Sequence, residues 1–136
     1  SLLNENGQFA VQMPVQSENM LNQILFQLAS EEPYKTQLNN WNRISPVLSL
    51  DEYAKMMFDA GLKDLNISMK VYPIIADNTE KLFQFISGSA LIPYLEILDE
   101  DIQEKFITEY KMRIAEKFEK FPAIYAFKRI LLYVRT

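Results

Sequence analysis

Histidine and cysteine are both absent from these 136 residues. Without cysteine there is no disulfide, no thiol nucleophile and no zinc site of the usual Cys/His kind. Without histidine there is no Ser-His-Asp or Cys-His machinery, so any chemistry here runs without an imidazole. Glycine is scarce too, with three residues, at 7, 61 and 88. No apolar run approaches the ~20 residues that span a bilayer, and no charged segment followed by an apolar stretch opens the chain. No membrane partner is expected, and the cytoplasm is the default compartment. A basic stripe is missing as well: 14 Lys and Arg are scattered among 18 carboxylates for a net charge of −4. Nucleic acid is therefore not an expected partner.

What is present is an ordinary apolar content of 49%, enough for one domain with a core. Asn6-Gly7 reads as a turn into a strand at 8–13, which Pro14 ends. Ser17, a good N-cap, opens a helix over 18–30 with Met20, Leu21, Ile24, Leu25 and Leu28 at helical spacing. Residues 33 to 47, with Trp41, Arg43 and Pro46, read as an irregular connection. Ser49 and Glu52 form a capping box for a helix over 50–60, stopped by Gly61, with Met56-Met57 as core. Leu65, Ile67, Met69 and Val71 alternate with Asn66, Ser68 and Lys70, predicting a strand at 64–72 with one dry and one wet face. Helices follow at 79–87 and 91–97, with Gly88 permitting a turn or close approach between them. A longer helix over 99–118 carries Phe106, Tyr110, Ile114 and Phe118 on one stripe. The last strand, 125–134, holds five successive apolar residues from Ile130 to Val134, predicting burial on both faces and a central place in a sheet.

The fold class expected from this order is α/β, a three-stranded sheet with a helical cap. The strand at 64–72 suits an edge and that at 125–134 the centre. The strand at 8–13 is left with one unpaired side, and a short apolar strand without charges makes a poor natural edge. The expectation is that it borders a larger sheet, or self-associates through that side.

The segments "SLLNENGQFAVQMP", "VLSLDEYAKMMFDAGL", "FISGSALIPYLEIL" and "FKRILLYVR" resemble the C-terminal half of the trans-aconitate methyltransferase-like class I S-adenosylmethionine-dependent methyltransferases. The most specific pieces are Ala10-Val11-Gln12-Met13-Pro14, Gly88-x-x-Leu91-x-Pro93-x-Leu95 and Phe127-x-Arg129-Ile130. The resemblance covers essentially the whole chain. It implies the C-terminal portion of a Rossmann-like fold with a mixed sheet, in which 8–13, 64–72 and 125–134 are the fifth, sixth and seventh strands and the seventh is central and antiparallel. It also implies S-adenosylmethionine as cofactor of a longer parent. The glycine-rich turn that would hold this cofactor is not in this sequence, so none is expected to bind the piece alone, which is expected to be inactive.

For the parent, the resemblance implies methyl transfer to a small carboxylic acid such as trans-aconitate, with this half forming the wall of the acid's pocket. Candidate substrate contacts are Gln12 and Met13 at a strand end, Trp41 and Tyr72 as hydrogen-bonding aromatics, and Arg129 as a bidentate partner for a carboxylate. For each there is a purely structural alternative; for Arg129 it is an ion pair near the start of the strand, and for Lys70 and Arg43 a solvated surface charge. No catalytic residue and no metal ligand is expected. The family's Tyr-Tyr-His cluster after the sixth strand is replaced here by Val71-Tyr72-Pro73; if that cluster selects among acids, a different, less charged acid becomes an alternative to trans-aconitate. The competing reading is a non-catalytic α/β interaction module that pairs with a copy of itself through the open strand at 8–13.

Overall fold

A computed structural model describes residues 7–15, 17–43 and 48–135. Its elements are β1 (Gln8–Pro14), α1 (Met20–Ala29), α2 (Tyr34–Gln37), α3 (Leu50–Asp59), β2 (Lys63–Ala76), α4 (Thr79–Ser87), α5 (Ile92–Ile97), α6 (Glu100–Lys117) and β3 (Ala123–Arg135). Asn6 and Pro46, expected in a turn and a connection, lie outside the described residues.

Local chemistry sets several of these boundaries. Ser49 accepts from the Glu52 amide at 3.1 Å while Glu52 accepts from that of Ser49, the reciprocal pair that starts α3. Gly61 takes φ +80 just past the helix, a conformation that disfavours a side chain. Asn78 caps α4 by accepting from the Lys81 amide. Gly88 needs no glycine: its φ is ordinary and a methyl group there would meet open space. The single helical turn α2 interrupts the expected irregular stretch because Tyr34 plunges into the core, edge-on to Phe106 at 4.9 Å.

The strands form one sheet in the order β1-β3-β2, with both pairings antiparallel. The last strand is central, as its apolar run predicts, and β1 and β2 are thereby parallel to each other. β1 pairs on one side only among the described residues.

Burial on the sheet is diagonal. Cross-strand partners Ile67 and Leu132, with Met13, Ile130 and Val134, pack under Tyr53 and Met57 of α3. On the opposite face and at the other end of β2, Ile74 and its partner Tyr125, with Ala76, pack under α1, α4 and α6. Two expectations are corrected here. β3 is not buried on both faces throughout: Ile130, Leu132 and Val134 are buried on one face, whereas on the other Leu131 is half-buried and Tyr133 exposed. The dry face of β2 holds only for Leu65 and Ile67, whereas Met69 and Val71 are exposed because α3 is too short to cover them. Likewise Met57 is core, but Met56 points to solvent.

In the larger cluster, Phe106, Tyr110 and Ile114 of α6 are fully buried, and the Tyr110 hydroxyl donates to the Leu21 carbonyl at 2.8 Å. At its rim Arg113 grips Glu31 with two hydrogen bonds, 2.7 and 2.6 Å. Hydrogen bonding from Arg113, with its charge, holds the Glu31 carboxyl below the ordinary value of 4.5. A carboxyl depressed on folding adds stability above its unfolded pKa and loses it as pH falls through the folded one. The Tm difference between wild type and Arg113→Met is therefore expected to be largest near neutrality, to shrink as pH falls below 4.5 and to vanish once pH is below the depressed folded value. A difference independent of pH in thermal scans would show that the pair carries no such linkage.

Candidate functional site

β1 must turn into α1 without exposing the backbone of β3 beside it. Val15 donates to the Lys128 carbonyl at 3.0 Å, and Asn19, with no exposed surface, continues the pairing with its side chain. Its Oδ1 accepts from the Lys128 amide at 2.8 Å and its Nδ2 donates to the Lys128 carbonyl at 3.3 Å. An amide side chain thus stands in for one residue of a strand. The expected cap, Ser17, instead uses its carbonyl to accept from Gln23 Nε2 at 2.7 Å, and α1 begins later, at Met20. Nothing in the sequence distinguishes Asn19 from an ordinary capping residue.

This turn places Pro14 and Asn22 on one side of a cleft of about 360 Å³ at the carboxyl end of β1. Arg129 and Phe127 of β3, Phe85 of α4, Ser89 and Arg43 complete its walls. Ligands of α/β sheets collect at strand carboxyl ends, and here the fold has left space there.

Two arginines reach the cleft by different supports. The Arg129 guanidinium stands over the Phe127 ring at 5.0 Å, and Phe127 is in turn braced edge-on by Phe85 at 5.1 Å. Arg43 is carried by a clipped segment: its own amide donates to the Tyr94 hydroxyl at 3.2 Å, which donates to Asn42 Oδ1. Asn42 Nδ2 donates to the Phe26 carbonyl at 3.0 Å. Burial pushes the Tyr94 phenol up from its ordinary value, so at neutral pH it stays protonated and serves as both donor and acceptor. Neither Arg43 nor Arg129 has a carboxylate partner among the described residues, and no acidic residue lines the cleft. Arg129 forms no ion pair among the described residues and Arg43 is not a fully solvated charge: both residues are half-buried and line a common space. Lys70, the register partner of Arg129, adds a third cation nearby, its Nζ 4.8 Å from the Tyr72 ring.

Of the residues singled out from the sequence, Arg129 lines the cleft and the other four do not. Gln12 lies on the same face as Arg129 but one cross-strand pair further on, exposed opposite Leu131 in a shallow groove with Ala10 and Tyr133. Met13 turns to the other face and packs under α3, its sulfur accepting from the Tyr53 hydroxyl at 3.7 Å. Trp41 packs edge-on against Tyr94 at 5.1 Å, buttressing the segment that carries Arg43. Tyr72 sits half-buried opposite Phe127 beneath Lys70. Asn22 and Ser89 are cleft residues that the sequence did not nominate, and Arg43, read there as a solvated charge, lines the cleft as well. Asn22 stands out in no local pattern, and the only signal for Arg43 is a cation two residues from Trp41.

Among the described residues no group of His, Cys, Asp and Glu is arranged to hold a metal ion, and no helix is long and apolar enough to cross a membrane. Gly7 precedes β1, Gly61 closes α3 and Gly88 follows α4. None of them lies in a turn leading from a strand into a helix, where nucleotide-bearing ligands are cradled, so the described residues do not fit such a cofactor.

No family model matches the chain. Curated proteins do. It is 31% identical over 135 residues to the trans-aconitate 2-methyltransferase of Deinococcus radiodurans, covering 95% of this chain and 52% of that protein. It is 23% identical over 130 residues to the protein of the same name from Variovorax paradoxus, covering 95% and 49%. For that of Escherichia coli the identity is 25% over 138 residues, covering 99% and 52%. The chain spans about half the length of the curated relatives it matches.

Proposed function

As the chain is a relative of the trans-aconitate 2-methyltransferase family over nearly its whole length, consistent with a C-terminal fragment of it, we propose that it forms the acid-binding side of an S-adenosylmethionine-dependent O-methyltransferase. The acceptor is a small carboxylic acid such as trans-aconitate. The observation that supports this reading is the cleft at the end of β1, where two half-buried arginines meet without an acidic partner.

An ionised carboxylate is already a nucleophile at neutral pH, so the acceptor side needs no general base, which suits a chain without histidine and cysteine. The work left to these residues is to bind and orient the acid and to strip water from it, effects that reach roughly 7 to 11 kcal/mol when alignment is good. Arg129, propped on Phe127, and Arg43, clipped to Tyr94, hold carboxylate groups through forked hydrogen bonds. Phe85 and Phe127 give the acid's carbon skeleton an apolar wall. The methyl donor is held by the remainder of the longer protein, and this chain alone is inactive.

Methylation assays on the full-length protein with a panel of di- and tricarboxylic acids, monocarboxylic acids and amines test this. Turnover is expected on carboxylates and not on amines; failure on every carboxylate rejects the chemistry. A second reading is supported by the outer edge of β1, which has no partner among the described residues and exposes Phe9 beside it. On that reading the isolated chain self-associates through residues 8–13 by strand pairing. Sedimentation of a clean monomer at high concentration would dismiss it.

A further inference from the structure

Asn22, in the first turn of α1, is only 6% exposed, yet its side chain makes no hydrogen bond to any described residue. It is not sealed in the core: its amide belongs to the wall of the cleft that Arg43 and Arg129 share. Side chains as buried as this one are almost always partnered by the protein, whereas this amide is left to bond whatever fills the cleft. One helical turn earlier, Asn19 shows the ordinary case, with both ends of its amide satisfied by Lys128. A nearly buried side chain without a protein partner, its amide open to a space with two donor-only arginines, has the attributes of a ligand contact.

We propose that Asn22 is a specificity-determining residue of this cleft, whose amide hydrogen-bonds a carboxylate of the small organic acid drawn in by Arg43 and Arg129. The proposal rests on reading the cleft as the acid's site, but not on methyl transfer itself. Three donors of fixed position, two forked and charged and one neutral, suit a di- or tricarboxylate spanning from β3 to α1. A monocarboxylate such as acetate reaches one wall only and is expected to bind more weakly.

Titration of the 136-residue chain with glutarate, followed by calorimetry and amide chemical shifts, tests this without any methyl donor. Wild type is expected to saturate, with shifts at Asn22, Ser89 and Arg129, and to prefer glutarate to acetate. Asn22→Leu should weaken glutarate binding about tenfold or more, the value of one hydrogen bond to a charged group, without lowering Tm, because the amide bonds no protein group. Asn22→Asp should abolish binding and raise Tm, since its carboxylate occupies the arginines internally. Absence of saturable binding by wild type, unchanged affinity in Asn22→Leu, or loss of binding together with a fall in Tm overturns the proposal; the last would make Asn22 structural. The two readings separate cleanly. If the full-length protein methylates no carboxylate while glutarate binding still depends on Asn22, the enzymatic reading falls and this one stands. If the full-length Asn22→Leu protein methylates its acid with unchanged KM, only this inference falls.

Discussion

Arg129→Gln in the full-length protein is expected to lower kcat/KM toward the acid by roughly 100-fold, mostly through KM, while leaving the Tm of the chain unchanged or slightly raised. Two hydrogen bonds to a charged acceptor are worth about 1.5 kcal/mol each at the low end, which sets that factor. The second half of the expectation is the more diagnostic one. An arginine that holds the fold by an ion pair leaves a buried carboxylate stranded when removed, and stability drops. Arg129 has no such partner among the described residues, and Lys70 is its cross-strand neighbour, so its loss relieves repulsion between cations. Arg129→Lys keeps the charge and the contact with Phe127 but not the fork, and should recover part of the lost KM. Steady-state kinetics and thermal scans on the same variants decide the matter. An unchanged KM in Arg129→Gln, or a marked fall in Tm, would remove Arg129 from the acid's site.

Asn19→Leu is expected to cost about 2 to 4 kcal/mol, lowering Tm by about 10 °C. The change removes both hydrogen bonds to Lys128 and leaves that residue's amide without a partner beside a leucine that cannot accept. The Lys128 carbonyl keeps the bond from Val15, which is why the effect is not larger. The contrast with Asn22→Leu is the sharpest available, because the same substitution three residues apart should lower stability at Asn19, the cap of α1, and not at Asn22 in its first turn. Denaturant unfolding gives both values; a change at Asn19 below about 0.5 kcal/mol, the range of an inert surface site, would mean that the side chain does not complete the strand pairing.

The parts of the fold that were legible in advance share one property: their signals are short-range. The capping box at Ser49 and Glu52, the left-handed stop at Gly61, the 106–118 stripe and the central position of the last strand each follow from residues within a few positions of one another. Misreadings arose where a distant element decided the outcome. Met69 and Val71 alternate correctly, but whether their face is dry depends on the reach of α3. Met13 and Gln12 are neighbours in sequence and lie on opposite faces of a strand, so only one of them was able to share a face with Arg129.

Residue identity and local spacing alone established an α/β chain with the last strand innermost, excluded imidazole and thiol chemistry, and marked Arg129 as a cation out of place in an apolar strand. The packing of distant segments supplied the rest: that Arg43 meets Arg129, that Asn19 completes a strand while Asn22 faces an open cleft, and that Trp41 supports rather than lines it. Helical and strand periodicities are encoded within a turn or two of backbone. A site gathered from positions 22, 43, 89 and 129 exists only once tertiary contacts have fixed where those turns lie relative to one another.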